Sequence, residues 1–180
     1  MHDKILILDF GSQVTQLIAR RVREAKPERP SPLGELNAQQ NARRVREANV
    51  HSEIVPYSIT PAEIRAMAPK GIIFSGGPKS VHVEGAPAVD PAIYELGVPI
   101  LGICYGAQLT AKYFGGIVEK SDKREYGRAT FKKNGTDSLL HNISNESFVW
   151  MSHSDSIKQL PSDFEVLGTT DNIPVAAFKK

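Results

Sequence analysis

The sequence holds a single cysteine, Cys104, so no internal disulfide can form and a reducing compartment is expected. No apolar run approaches the ~20 residues of a membrane-crossing helix, which argues against a helical membrane protein. Met1 leads almost directly into a strand-like run, with no pattern of a secretory leader. An excess of one charge is missing too: 22 Lys and Arg face 20 Asp and Glu, a formal charge of +2 spread along the chain. Nothing in that balance demands a nucleic acid. The densest basic cluster, Arg20, Arg21 and Arg23, reads as a solvated helix face. The expectation is therefore a soluble, cytoplasmic domain. Its 180 residues, 41% of them hydrophobic, suffice to bury one core of ordinary size.

What is there alternates. Lys4 to Leu8 is a short apolar run bounded by Asp9 and Gly11, as in a buried strand. Ser12 is placed to cap a helix on which Val14, Leu17, Ile18 and Val22 recur at helical spacing. His51 to Val55 reads as a second strand. Thr60-Pro61-Ala62-Glu63 has the form of a capping box with proline at the first helical position. Gly71 to Phe74 is a third strand, Asp90-Pro91 signals another helix, and Val98 to Ile103 is a fourth strand. A helix from about Tyr105 to Phe114 follows. Strands alternating with helices predict an α/β fold with a mostly parallel central sheet flanked by helices. After Gly115-Gly116 the pattern changes to β-like runs at Ile117–Glu119, Arg128–Phe131, Phe148–Met151 and Val166–Thr169. These predict a mixed or antiparallel extension of the sheet.

One stretch interrupts this order. Ala19-Arg-Arg-Val-Arg-Glu-Ala25 recurs letter for letter as Ala42 to Ala48, 23 positions later. The join between the copies, from Lys26 to Gly34, carries three prolines that cannot continue a helix. Two copies are too few for a solenoid. Residues 26–48 therefore read as a duplication forming a surface insertion, with a functional lid as the alternative.

Gly102-Ile103-Cys104-Tyr105-Gly106 sits where a buried strand meets a helix, a glycine-flanked nucleophile elbow with cysteine in place of serine. The glycines allow a tight turn that thrusts Cys104 outward. The helix N-terminus behind it favours the thiolate. A lone cysteine is more often a core residue; the two glycines and the strand-to-helix setting outweigh that reading here. Ser75-Gly76-Gly77-Pro78 ends the preceding strand, where glycine N–H groups can face a substrate oxygen and, with the N–H of Tyr105, form an oxyanion hole. Gln108 lies one helical turn after Cys104 and reads either as a substrate contact or as an exposed helix residue. Trp150-Met151-Ser152-His153-Ser154-Asp155, placed after a strand, offers polar groups for an amino acid's charged ends or a plain turn. Asp9-Phe10-Gly11 is not a kinase magnesium motif, because no glycine-rich ATP loop or catalytic loop accompanies it.

Leu8-Asp9-Phe10-Gly11-Ser12-Gln13, Ser75-Gly76-Gly77-Pro78, Gly102-Ile103-Cys104-Tyr105-Gly106-Ala107-Gln108 and Trp150-Met151-Ser152-His153 together resemble the amidotransferase domains of GMP synthetases. The second and third motifs alone resemble class I glutamine amidotransferases at large, with their flavodoxin-like fold. The resemblance implies Cys104 as nucleophile, Gly77 and Tyr105 as oxyanion donors, and Gln108 as a contact to L-glutamine; Ser152, His153 and Asp155 join the expected substrate-binding set on their polar side chains alone. No metal and no cofactor are implied for glutamine hydrolysis. ATP and magnesium belong to a synthetase (ATP pyrophosphatase) module, absent here and expected downstream or as a separate chain. The parent enzyme is compatible with a homodimer. The family's His-Pro-Glu motif, which supplies the general base, has no counterpart after Cys104: His141 precedes Asn142-Ile143, and His153 precedes Ser154-Asp155. The domain, residues 1–180, is accordingly expected to be incomplete at its C-terminus, with impaired activity. Two other readings of the elbow stand beside this one: a cysteine hydrolase or peptidase, and a non-catalytic glutamine- or partner-binding module.

Overall fold

Short runs of Ile, Leu and Phe bounded by Gly, Pro and Asp form the first sheet. Its strands are β1 (Asp3–Asp9), β2 (Val50–Pro56), β3 (Gly71–Phe74) and β4 (Ile100–Gly102). The computed structural model describes residues 3–12, 15–24 and 50–180, apart from the side chains of residues 23, 24, 50, 121–126 and 152–154. Two compact units divide it, Met1–Ala107 and Gln108–Lys180.

In the first unit the strands lie in the order β2-β1-β3-β4, all parallel. Along β1 the side chains alternate. Ile5 and Ile7, with Ile73 of β3, pack against Ile18, Ala19 and Val22 of α1 (Thr15–Glu24). Leu6 and Leu8, in register with Ile72 and Phe74, are fully buried on the other face. Burial on both faces is why these strands read as continuous apolar runs, and each such side chain contributes about 1.5–3 kcal/mol of transfer free energy. The helical stripe differs from expectation at one position. Leu17 is 48% exposed, and Thr15 and Ala19 are buried in its stead. Positions 15, 18, 19 and 22 share one face at 3.6 residues per turn, and 17 falls off it. Ser12 meets α1 through its carbonyl, which accepts from Thr15 N at 3.3 Å. Val14 and residues 26–48 lie outside the described residues.

The Thr60 capping box forms as read. Thr60 Oγ1 accepts from Glu63 N at 3.2 Å, and the Glu63 carboxylate accepts from Thr60 N at 2.8 Å, opening α2 (Pro61–Met67). Hydrogen bonds from the Thr60 hydroxyl and main chain hold the Glu63 carboxyl below its usual pKa. Asp90-Pro91, by contrast, opens a single 3-10 turn, Pro91–Ile93, and no full helix. Asp90 Oδ1 does accept from Ala92 N at 2.9 Å, and turn bonds run on to Glu95 N and Leu96 N, which donate to Ala92 O at 3.3 Å and Ile93 O at 3.4 Å, but Gly97, with φ of 70°, and Pro99 then turn the chain toward β4. Pro99 has no N–H for the ladder, so β4 begins one residue later.

The second unit is antiparallel throughout, in the order β6-β5-β7-β8, built from β5 (Ile117–Lys133), β6 (Glu146–Gln159), β7 (Glu165–Thr169) and β8 (Ala177–Lys179). It is a sheet of its own and not added strands of the first. The runs Ile117–Glu119 and Arg128–Phe131 prove to be parts of one strand of 17 residues, whose register with β6 shifts between Lys120 and Glu125. β8 is too short to show a pattern in the sequence. Phe178 packs near Phe164, which in turn meets Phe114, at ring separations of 5.8 and 5.3 Å. Lys179 Nζ bonds Asp137 at 2.6 Å and Glu165 at 3.1 Å. No helix among the described residues is long and apolar enough to cross a membrane.

Candidate active site

Cys104 occupies the joint between β4 and the helix α3 (Tyr105–Tyr113), with φ of 53° and an exposed side chain. A left-handed backbone at a non-glycine residue is strained, by roughly 1–2 kcal/mol. The turn's strain thus falls on the cysteine itself, while its flanking glycines serve close packing. A Cβ on Gly102 would lie 2.7 Å from Ala107 N, and one on Gly106 would lie 2.5 Å from Phe74 Cβ and O. The first turn of α3 therefore rests against the ends of β3 and β4. Two main-chain bonds fasten it: Ile103 N to Phe74 O at 2.9 Å and Gly106 N to Ser75 O at 3.2 Å. Cys104 projects at the positive end of that helix.

Because β3 and β4 are parallel neighbours, the Ser75-Gly76-Gly77 loop emerges beside the cysteine. A Cβ on Gly76 would sit 3.5 Å from Cys104 Cβ and 3.6 Å from Ser12 Oγ. One on Gly77 would fall 2.9 Å from Phe10 O and 3.3 Å from the Tyr105 ring. The described part of the first motif, residues 8–12, thus converges with residues 75–78 and 102–106 on one strand-end locus. Ser75, visible in the sequence only as part of a motif, has a structural place of its own. It is fully buried; its hydroxyl accepts from Phe10 N at 3.1 Å and donates to Gly76 O at 2.9 Å. The signal was available, since a serine closing a buried apolar strand must find hydrogen-bond partners.

Tyr105 is buried as well. Its ring lies 5.4 Å from that of Phe10, and its hydroxyl donates to Pro87 O. Burial, and secondarily the neighbouring Tyr57 phenol, push its phenol above the usual pKa. Asp9 serves a turn: Oδ1 accepts from Gly11 N at 3.0 Å and from Thr15 Oγ1 at 2.8 Å.

In the second unit Gln108 is buried, against the reading of an exposed helix residue, and its Nε2 donates to Asp155 O at 2.9 Å. Asp155 is buried in β6. The segment from Trp150 to Asp155 lies inside that strand and does not follow one. Ser152 and His153 are paired there with Tyr126 and Glu125; their side chains lie outside the described residues. Phe148 and Trp150 are exposed, with the Arg128 guanidinium 3.5 Å above the Phe148 ring.

Comparison with known proteins bears on the family. The Glutamine amidotransferase class-I family matches residues 34–180. The chain is 47% identical to "GMP synthase [glutamine-hydrolyzing]" of Caldanaerobacter subterraneus subsp. tengcongensis, over 98% of its own length and 30% of that relative's. Among solved structures it is similar to a candidate GMP synthase component of Thermoplasma acidophilum, with a TM-score of 0.76 and 27% identity, covering 99% of this chain and 78% of that one. A glutamine amidotransferase from Thermotoga maritima shares the fold, with a TM-score of 0.69 at 17% identity over 99% of this chain and 72% of that one. The chain thus spans just under a third of the curated relative it matches.

Proposed function

The chain belongs to the class I glutamine amidotransferase family, and on that premise we propose that it is the glutamine-hydrolysing domain of a GMP synthetase. The observation that carries the reading is Cys104, exposed at φ of 53° where β4 turns into α3. Its thiolate sulfur attacks the side-chain carbonyl carbon of glutamine. The C–N bond breaks, the nitrogen takes up a proton and leaves as ammonia, and a γ-glutamyl thioester remains on Sγ. Water then adds to the thioester carbonyl, glutamate departs and the thiol is restored. In both steps the carbonyl oxygen gains negative charge, and the N–H groups of Gly77 and Tyr105 receive it; one such donor is typically worth ~10²–10³ in rate. Gln108 is assigned to substrate binding on its motif position, and Ser152, His153 and Asp155 as polar groups of the Trp150–Asp155 segment. The ammonia serves a synthetase partner, fused or separate, that uses ATP and magnesium to convert xanthosine monophosphate to GMP.

The test uses an activated aryl ester of the glutamate side chain, whose phenolate leaves without needing a proton. Cys104 should become acylated, as read by peptide mass spectrometry. The β-aspartyl ester, one methylene shorter, should react at least about tenfold more slowly. Equal acylation by a peptide-like ester would favour a general cysteine hydrolase. No acylation by the glutamyl ester, with iodoacetamide still alkylating Cys104, would leave a binding module.

A further inference from the structure

The Gly76-Gly77 peptide carries one of the two assigned oxyanion donors, and it joins the two residues with the greatest backbone freedom. A turn of that peptide plane would replace the Gly77 N–H by the Gly76 carbonyl and present a dipole of the wrong sign to a developing oxyanion. Resting on the reading of Gly77 as an oxyanion donor, we infer that Ser75 is a positioning residue that fixes this peptide plane. The Ser75 hydroxyl donates to Gly76 O at 2.9 Å. In a trans peptide the N–H of the next residue points opposite to that carbonyl, so anchoring Gly76 O on the buried side aims Gly77 N–H away from it.

Ser75 is itself held firmly. It is fully buried. Its N–H donates to Leu8 O at 3.1 Å, its hydroxyl accepts from Phe10 N at 3.1 Å, and its carbonyl accepts from Gly106 N at 3.2 Å. One residue thereby links the end of β1, the glycine loop and the first turn behind the nucleophile. Gly77 has no room for a side chain, because a Cβ there would fall 2.9 Å from Phe10 O and 3.3 Å from the Tyr105 ring. The orientation of its peptide is a separate freedom, and the Ser75 hydroxyl bonds the group that sets it.

The inference separates two reactions at one sulfur. Acylation by the γ-glutamyl aryl ester passes through an oxyanion; alkylation by iodoacetamide displaces iodide and develops no charge on a carbonyl oxygen. Both rates are measured on Cys104 at a pH of about 10, where an ordinary thiol is ionised and differences in thiolate fraction fall away. Ser75→Ala should slow acylation about tenfold or more while leaving alkylation within about twofold, since a donor slightly misaligned retains part of its value. Ser75→Thr, which keeps the hydroxyl, should recover most of the lost acylation. Acylation unchanged in Ser75→Ala, or acylation and alkylation falling together, overturns the inference. If Ser75→Ala does not fold, the ratio of the two rates in Ser75→Thr decides: a wild-type ratio supports the role and a tenfold fall rejects it. A wild-type chain that is alkylated but never acylated sinks the glutaminase reading, whereas a wild-type chain that acylates beside an indifferent Ser75→Ala sinks only the role of Ser75.

Discussion

In the parallel unit β1 and β3 are buried on both faces, and the loops leaving their C-terminal ends meet within a few ångströms of Cys104. In the antiparallel unit β6 runs for 14 residues with Phe148 at 66% and Trp150 at 79% exposure. The difference is one of constraint. Parallel strands deliver successive loops to the same end of a sheet, where buried main chain holds them against one another. Antiparallel strands reverse at each hairpin and spread their loops to both ends. Chemistry that needs a nucleophile beside fixed N–H groups finds both at the parallel strand ends.

The glycines offer the sharpest way to break that comparison. Gly106→Ala places a methyl group 2.5 Å from the backbone and Cβ of Phe74. It should cost about 3 kcal/mol or abolish folding. Gly135→Ala in the second unit meets open space and has only its φ of 68° to contend with, so it should cost about 1 kcal/mol. Urea denaturation of the two variants checks the ranking; equal losses would show that the close approach at the elbow is not real. A smaller effect of unusual sign is expected at the nucleophile. Glycine adopts the left-handed backbone without strain, so Cys104→Gly should be more stable than Cys104→Ala by about 1 kcal/mol, the reverse of the usual order. Both variants should lose acylation entirely. Alanine proving the more stable would contradict strain at this joint.

Smaller still is the expected effect of removing residues 26–48. Closure entropy changes by about 0.6 kcal/mol per doubling of loop length, and the letter-for-letter repeat of Ala-Arg-Arg-Val-Arg-Glu-Ala is the ground for proposing that the segment is an insertion. The thermal midpoint should rise slightly or hold. A clear fall would place the segment among the structural elements and revise the boundary of the first unit.

The same contrast explains what could be read from residues alone. Lys4–Leu8 and Gly71–Phe74 were legible because strands buried on both faces leave an unbroken apolar record. Thr60 to Glu63 was legible because a capping box is a local code. The extent of β5 was not, since the charged stretch after Lys120 breaks the apolar pattern, and the strand is shown to continue only by its pairing with β6 on either side, at Lys120 and from Glu125 on. Asp90-Pro91 misled because start signals say nothing of where a helix must stop. At the site, Cys104 and the glycine loop were visible as motifs. The burial of Gln108 was not, nor was it legible which groups Ser75 would bond, because both depend on partners distant in sequence: Asp155 for one, Phe10 and Leu8 for the other. The tight turn at the elbow was legible too, but not that its left-handed backbone sits at Cys104, with φ of 53°.

The central claim is that the thiol at the end of β4 is a glutamine-directed nucleophile. A diazoketone analogue of glutamine tests it most directly, by peptide mass spectrometry with and without excess glutamine. The account expects one specific adduct, on Cys104, that slows when glutamine competes and vanishes in Cys104→Ala. An adduct surviving at full yield in Cys104→Ala, or labelling of Cys104 indifferent to glutamine, would contradict it.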